Sequence, residues 1–72
     1  MITEEKFYEL LQHNTSKYPD LRYGQILFNS LYEVDPEYAN SIRGGDFDPY
    51  YLESQDIKLS RIMIVIWEEL FE

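Results

Sequence analysis

The chain has no cysteine. That excludes disulfide bridges and thiolate metal sites and fits a reducing compartment, so the expected location is cytoplasmic. Histidine is nearly absent too. His13 is alone, with no second histidine one turn away, so a metal centre is not expected there; a surface place late in the first helix is. Basic residues are scarce: six Lys and Arg face fourteen Asp and Glu, for a net charge of −8. Phosphate backbones demand a basic patch, so direct nucleic-acid binding is not expected. No apolar run approaches the roughly eighteen residues of a membrane span, and no basic-then-apolar leader opens the chain. Neither membrane insertion nor secretion is therefore expected. Glycine and proline number three each, few enough to read each as a boundary or a close contact.

What is present is a core. Hydrophobic residues make up 44% of the 72 positions and aromatics 17%, ample for an ordered domain despite the charge. Residues 1–72 form one domain near the lower size limit for independent folding, with an expected radius of gyration of about 11 Å. A protein partner covering about 800 Å² would take nearly a fifth of its surface. A closed pocket of a few hundred Å³ would compete with the core. Size favours binding over catalysis.

Four segments have helical spacing, so the expected fold is all-α, a small compact bundle of three main helices and one short one. Thr3 is the expected N-cap of the first helix, with Glu4 and Glu5 placed well against the dipole and Ile2 and Phe7 as a hydrophobic staple. Phe7, Leu10, Leu11 and Asn14 share its inner face; Tyr18-Pro19 stops it. Asp20 is the expected cap of a second helix running to about Glu33. Tyr23, Gly24, Leu27, Phe28, Leu31 and Val34 form its apolar face, and Arg22, Gln25, Asn29 and Glu33 a narrow polar stripe. Gly24 costs about 1 kcal/mol against alanine inside a helix, so a close neighbour is expected there. Asp35-Pro36 opens a short third helix, a capping side chain before a proline, with Tyr38, Ala39 and Ile42 inward and Gly44 as the left-handed terminator after Arg43. Residues 45–55 lack periodicity, and Asp48-Pro49 marks a turn. The last helix, Asp56 to Phe71, buries Leu59, Ile62, Met63, Ile66 and Leu70. Ile64, Trp67 and Phe71 make a second stripe beside it, spanning with the first about 200° of arc. That stripe either touches a second neighbouring helix or forms a second interface, for a homodimer or a docked partner.

The charge is concentrated in the middle. From Glu33 to Asp56 seven carboxylates stand against Arg43 alone. Asp46, Asp48, Glu53 and Asp56 invite a calcium loop, but an EF-hand begun at Asp46 requires glycine sixth and glutamate twelfth. Tyr51 and Ile57 stand there, so no metal site is expected. No serine lies in a G-x-S-x-G turn, and Gly44-Gly45 lacks a phosphate-loop pattern. The chain is expected to be no enzyme and to need no cofactor. Arg22, Gln25 and Asn29 have two readings: a recognition face, with arginine gripping an anion, or donors that tie down the 45–55 loop.

The segments Arg22-Tyr-Gly-Gln-Ile-Leu-Phe-Asn29 and Asp35-Pro-Glu-Tyr-Ala-Asn-Ser-Ile-Arg-Gly-Gly-Asp-Phe-Asp-Pro-Tyr-Tyr51 resemble short uncharacterised proteins carried by bacteriophages and bacteria. Those proteins share an R-x-G-Q-x-x-x-N helix and a later acidic-Pro-aromatic turn. The resemblance spans about residues 7–53 and implies a phage or mobile-element origin, but no activity. Taken with the charge, it leads to an expected function. The chain is read as an acidic protein-binding module that inhibits a host nucleic-acid-binding or defence protein, anti-CRISPR-like, by competing for a basic groove. Duplex DNA carries one charge per about 1.7 Å, so a net charge of −6 imitates on the order of 10 Å of duplex. The expected contact residues are Asp35, Glu37, Asp46, Asp48, Tyr50, Tyr51 and Glu53. The alternative is a structural or regulatory subunit acting through its C-terminal helix.

Overall fold

The computed structural model describes residues 2–71, and every described element is helical: α1 (Glu4–Lys17), α2 (Tyr23–Val34), α3 (Pro36–Ile42) and α4 (Ile57–Phe71). Local signals set most of the ends. Thr3 Oγ1 accepts from Lys6 N–H at 3.1 Å and α1 stops before Tyr18-Pro19. Asp35 Oδ1 accepts from Tyr38 N–H at 3.0 Å with Pro36 in the first turn of α3. Gly44, with φ of +76°, carries the chain out of α3, a conformation that costs glycine nothing.

Two boundaries differ from expectation. Asp20 does not cap α2; the helix starts at Tyr23 with Arg22 in the cap position and no side-chain cap. One of its N-terminal donors, Gly24 N–H, is met from elsewhere in the fold, by Leu52 O. Helix α4 begins one residue late, at Ile57, with the Asp56 carboxylate turned back to accept from Glu53 N–H at 2.7 Å.

The core is one cluster built from Phe7 and Leu11 of α1, Ile26, Leu27, Phe28 and Leu31 of α2, Ala39 of α3, and Leu59, Ile62 and Ile66 of α4. Helix α2 is the hub, with α1 and α3 approaching it closely. Helix α4 meets its neighbours mainly through long side chains. Phe7 packs edge-on to Trp67 with ring centroids 5.4 Å apart and lies 5.9 Å from Phe71; Tyr8 also leans on Trp67 at 5.5 Å. Such edge contacts suit the ring quadrupole. The radius of gyration is 11.2 Å, near the size-scaled expectation.

One polar pair crosses the α1–α2 interface. Asn14 Nδ2 donates to Ser30 Oγ at 2.8 Å and to Glu33 Oε2 at 3.0 Å, and Ser30 Oγ donates to Ile26 O at 2.8 Å. Asn14 and Ser30 are both buried. Buried polar groups that find partners fix how two helices sit together, since any shift strands a donor. No described helix is long and apolar enough to cross a membrane.

Two tyrosines are coupled to this packing. Burial raises the Tyr23 phenol above its ordinary value, helped by Tyr8; burial also raises Tyr38, helped by the charges of Glu69 and Asp35. A folded-state value above the unfolded one means that ionisation favours the unfolded chain. Stability is therefore whole below about pH 10 and falls as pH rises through the folded values. In an ultraviolet titration, Tyr23→Phe with Tyr38→Phe should delete a late-ionising component and flatten the alkaline fall in melting temperature. An unchanged alkaline profile would contradict it.

Candidate functional site

The 43–56 segment has no helix of its own, and its backbone is held down on α2 at one close approach. Gly24 N–H donates to Leu52 O at 3.0 Å, which satisfies an N-terminal donor of α2 that no side chain caps. A Cβ on Gly24 would collide with Pro49 O and lie 2.5 Å from Leu52 O. The tight neighbour expected at Gly24 is thus the loop backbone itself. Pro49 is buried beneath it.

Asp48 organises the turn before this contact. Its Oδ2 accepts from Gly44 N–H at 2.7 Å and its Oδ1 from Tyr50 N–H at 2.9 Å. Tyr50 is fastened three ways. Arg22 Nε donates to its carbonyl at 3.4 Å, Gln25 Nε2 donates to its hydroxyl at 3.1 Å, and its ring stands edge-on to Phe28 at 5.8 Å. The Arg22 guanidinium also lies over the Tyr50 and Tyr51 rings, at 5.7 and 5.6 Å, within cation–π range. Two members of the polar stripe, Arg22 and Gln25, are therefore engaged with the loop. Asn29 is not; it is exposed.

Between α2 and this loop lies an open groove of about 570 Å³. Helix α2 supplies Phe28, Asn29 and Tyr32 to one wall, and the loop supplies Arg43, Asp48, Tyr50 and Tyr51 to the other. The Arg43 guanidinium sits 5.3 Å over Phe28 and 5.7 Å over Tyr32. Tyr51 is 79% exposed. Phe28, Tyr32 and Arg43 were not among the expected contact residues. The available signals were the i, i+4 spacing of Phe28 and Tyr32 on α2 and the isolation of Arg43 as the only base in the acidic stretch.

The expected contact residues fall into two groups. Asp35 and Asp48 have carboxylate oxygens committed to backbone N–H groups, as does Asp56. Glu37, Asp46 and Glu53 are exposed. Asp35 and Glu37 share a shallow concavity with Tyr38 and Ser41. Asp48, Tyr50 and Tyr51 share the aromatic groove, and Glu53 lines a separate concavity with Arg22. No single concavity gathers all the carboxylates. Their charge is nonetheless uncompensated by side chains: among the described residues the ion pair formed is Lys6 with Glu9, at 3.6 Å on α1.

The second stripe divides. Trp67 and Phe71 are half-buried against α1, whereas Ile64 is 60% exposed. Stripe residues on the α1 side thus touch a second helix; Ile64 does not share that contact. His13 is exposed, and no group of three or more potential metal ligands occurs among the described residues.

The chain matches no protein-family model, no curated protein and no solved structure.

Three substitutions test this geometry. Alanine in an open helix gains about 1 kcal/mol over glycine; Gly24→Ala should instead lose about 1–3 kcal/mol in chemical denaturation, because a methyl must displace backbone. A stabilised Gly24→Ala variant would contradict the contact. Arg22→Ala should cost about 1 kcal/mol, while Asn29→Ala should stay within about 0.5 kcal/mol of the parent. Equal melting curves for all three chains would remove Arg22 as a fastener.

Proposed function

We propose that this chain is a small, non-catalytic acidic module that binds another protein, occupying a basic groove that would otherwise hold nucleic acid. The observation that carries this reading is the uncompensated charge between Glu33 and Asp56. Seven carboxylates there face one base, and none enters an ion pair among the described residues. In a chain so short, an excess of charge of one sign raises the potential near the surface and speeds encounter with a positive partner.

The exposed aromatic groove supplies what charge alone lacks. Aromatic rings give contact area at low entropic cost and are enriched at interfaces. Tyr51 and Tyr32 are the exposed rings of the groove, and guanidinium groups already stack on both. A partner surface rich in arginine would find the same ring faces. On the phage resemblance, the partner is a host nucleic-acid-binding or defence protein, and binding inhibits it by competition. Glu37, Asp46, Glu53 and Tyr51 are the residues free to act; Asp35, Asp48 and Tyr50 hold the local fold and contribute charge or area from fixed positions.

Capture from host lysate on immobilised protein, at 50 and 500 mM salt, tests the proposal. The expected result is a nucleic-acid-binding protein retained at low salt, released at high salt, and displaced by added duplex DNA. Glu37→Gln with Asp46→Asn and Glu53→Gln should weaken capture about tenfold or more with an unchanged melting curve. Retention indifferent to salt, DNA and these substitutions would overturn charge-guided binding.

A further inference from the structure

Within helix α4 the charges run against the dipole, although the acidic Asp56 stands just before its start. Lys58 lies in its first turn and Arg61 in its second, while Glu68 and Glu69 lie in its last, and there is no acidic residue in the first turn or basic residue in the last. Helix dipoles favour the opposite arrangement, which α1 follows with Glu4 and Glu5 at its start and Lys17 at its end. The same helix leaves an apolar line bare. Ile57 is 73% exposed and Ile64 is 60% exposed; seven residues apart, they lie on one side of the helix. Arg61 and Glu68 flank that line on a shared edge, both exposed, and neither pairs with another charge among the described residues. Leu59, Ile62 and Ile66 face the core on the opposite side.

We infer that two copies of this chain associate through the outer faces of α4, running antiparallel about a two-fold axis near Ile64. An antiparallel copy brings the acidic end of one helix beside the basic end of the other, twice over. Arg61 meets Glu68 of the second copy, Ile64 meets its own counterpart, and Ile57 approaches the far end near Phe71. The C-terminal end of each helix, which has no base in its last turn, then receives the positive charge it lacks. A parallel pair would set Arg61 against Arg61 and gain none of this. The patch is complementary to itself, as a two-fold contact requires, and that identifies a second copy as the occupant. This interface is separate from the aromatic groove and does not depend on the proposed function.

A 15-residue helix is about 22 Å long, and one such contact buries less than the roughly 1,600 Å² of a standard interface. Association is accordingly weak, with dissociation on the order of 10–100 µM. Sedimentation velocity between roughly 5 and 500 µM should show the mass rising from 8.7 kDa toward twice that value. Ile64→Asp, on the exposed face, should hold the chain monomeric while leaving its circular dichroism unchanged. Arg61→Glu and Glu68→Arg should each weaken association at least tenfold, and the double variant should restore it. A monomer at every concentration overturns the inference. So does a dimer in which Ile64→Asp has no effect, or one that the charge swap fails to restore. Should Ile64→Asp fail to fold, the swap alone decides.

Discussion

The contact between Gly24 and the backbone at Pro49–Leu52 is the constraint on which the shape of this molecule turns. It solves two problems together. Helix α2 begins without a capping side chain, and a long irregular segment arrives with carbonyls that no helix satisfies. Bringing Leu52 O onto Gly24 N–H at 3.0 Å answers both needs, and only a residue without a Cβ allows the approach. Once the loop is seated, Pro49 is buried and Tyr50 falls across Phe28, within reach of Arg22 and Gln25. The groove is a consequence of that seating, because its second wall is the seated loop.

Legibility in the sequence follows the range of the interactions. Thr3, Asp35-Pro36 and Gly44 act within a few residues of themselves, and the helix ends they mark can be read directly. Asp20 misleads because capping potential is local, while the start of α2 is fixed from across the fold, where Leu52 O takes the Gly24 N–H. Gly24 announces a close neighbour, since its cost in a helix demands compensation, but nothing in the local pattern says which backbone arrives. The outer stripe of α4 shows the same limit. Spacing places Ile64, Trp67 and Phe71 on adjoining positions; the position of α1 decides that Trp67 and Phe71 gain cover and Ile64 does not. The groove was half legible. Asp48, Tyr50 and Tyr51 stand out by composition, whereas Phe28 reads as core and Arg43 as a lone surface base until the loop folds back beside them.

Charge and fold are not independent in the middle of this chain. Asp35, Asp48 and Asp56 each accept from backbone N–H groups, bonds strengthened by the ionised acceptor. Their negative charge is therefore anchored at turns and helix starts, and removing it loosens the segment that carries it. Glu37, Asp46 and Glu53 carry charge without that duty. The anionic character of residues 33–56 thus has a fixed part, set by the architecture, and a free part on the surface, and only the free part can vary without structural cost.

Two aromatic clusters of similar size make the division between core and site concrete. At the α1–α4 joint, Phe7 is wholly buried and Trp67 and Phe71 close over it; even the Trp67 indole N–H is shut away without a partner among the described residues. A domain this small accepts the cost of that unpaired donor, commonly about 1–3 kcal/mol, because the rings it accompanies seal the core. On the other side of α2, Tyr50 meets the edges of Phe28 and Tyr51, but the rings of Tyr32, Tyr50 and Tyr51 also have guanidinium groups over them, and the groove they line stays open. Rings that pack only against one another and the core bind a chain to itself. Rings that line an open groove retain a surface to offer, and that difference in cover, more than aromatic content, separates the groove from the core.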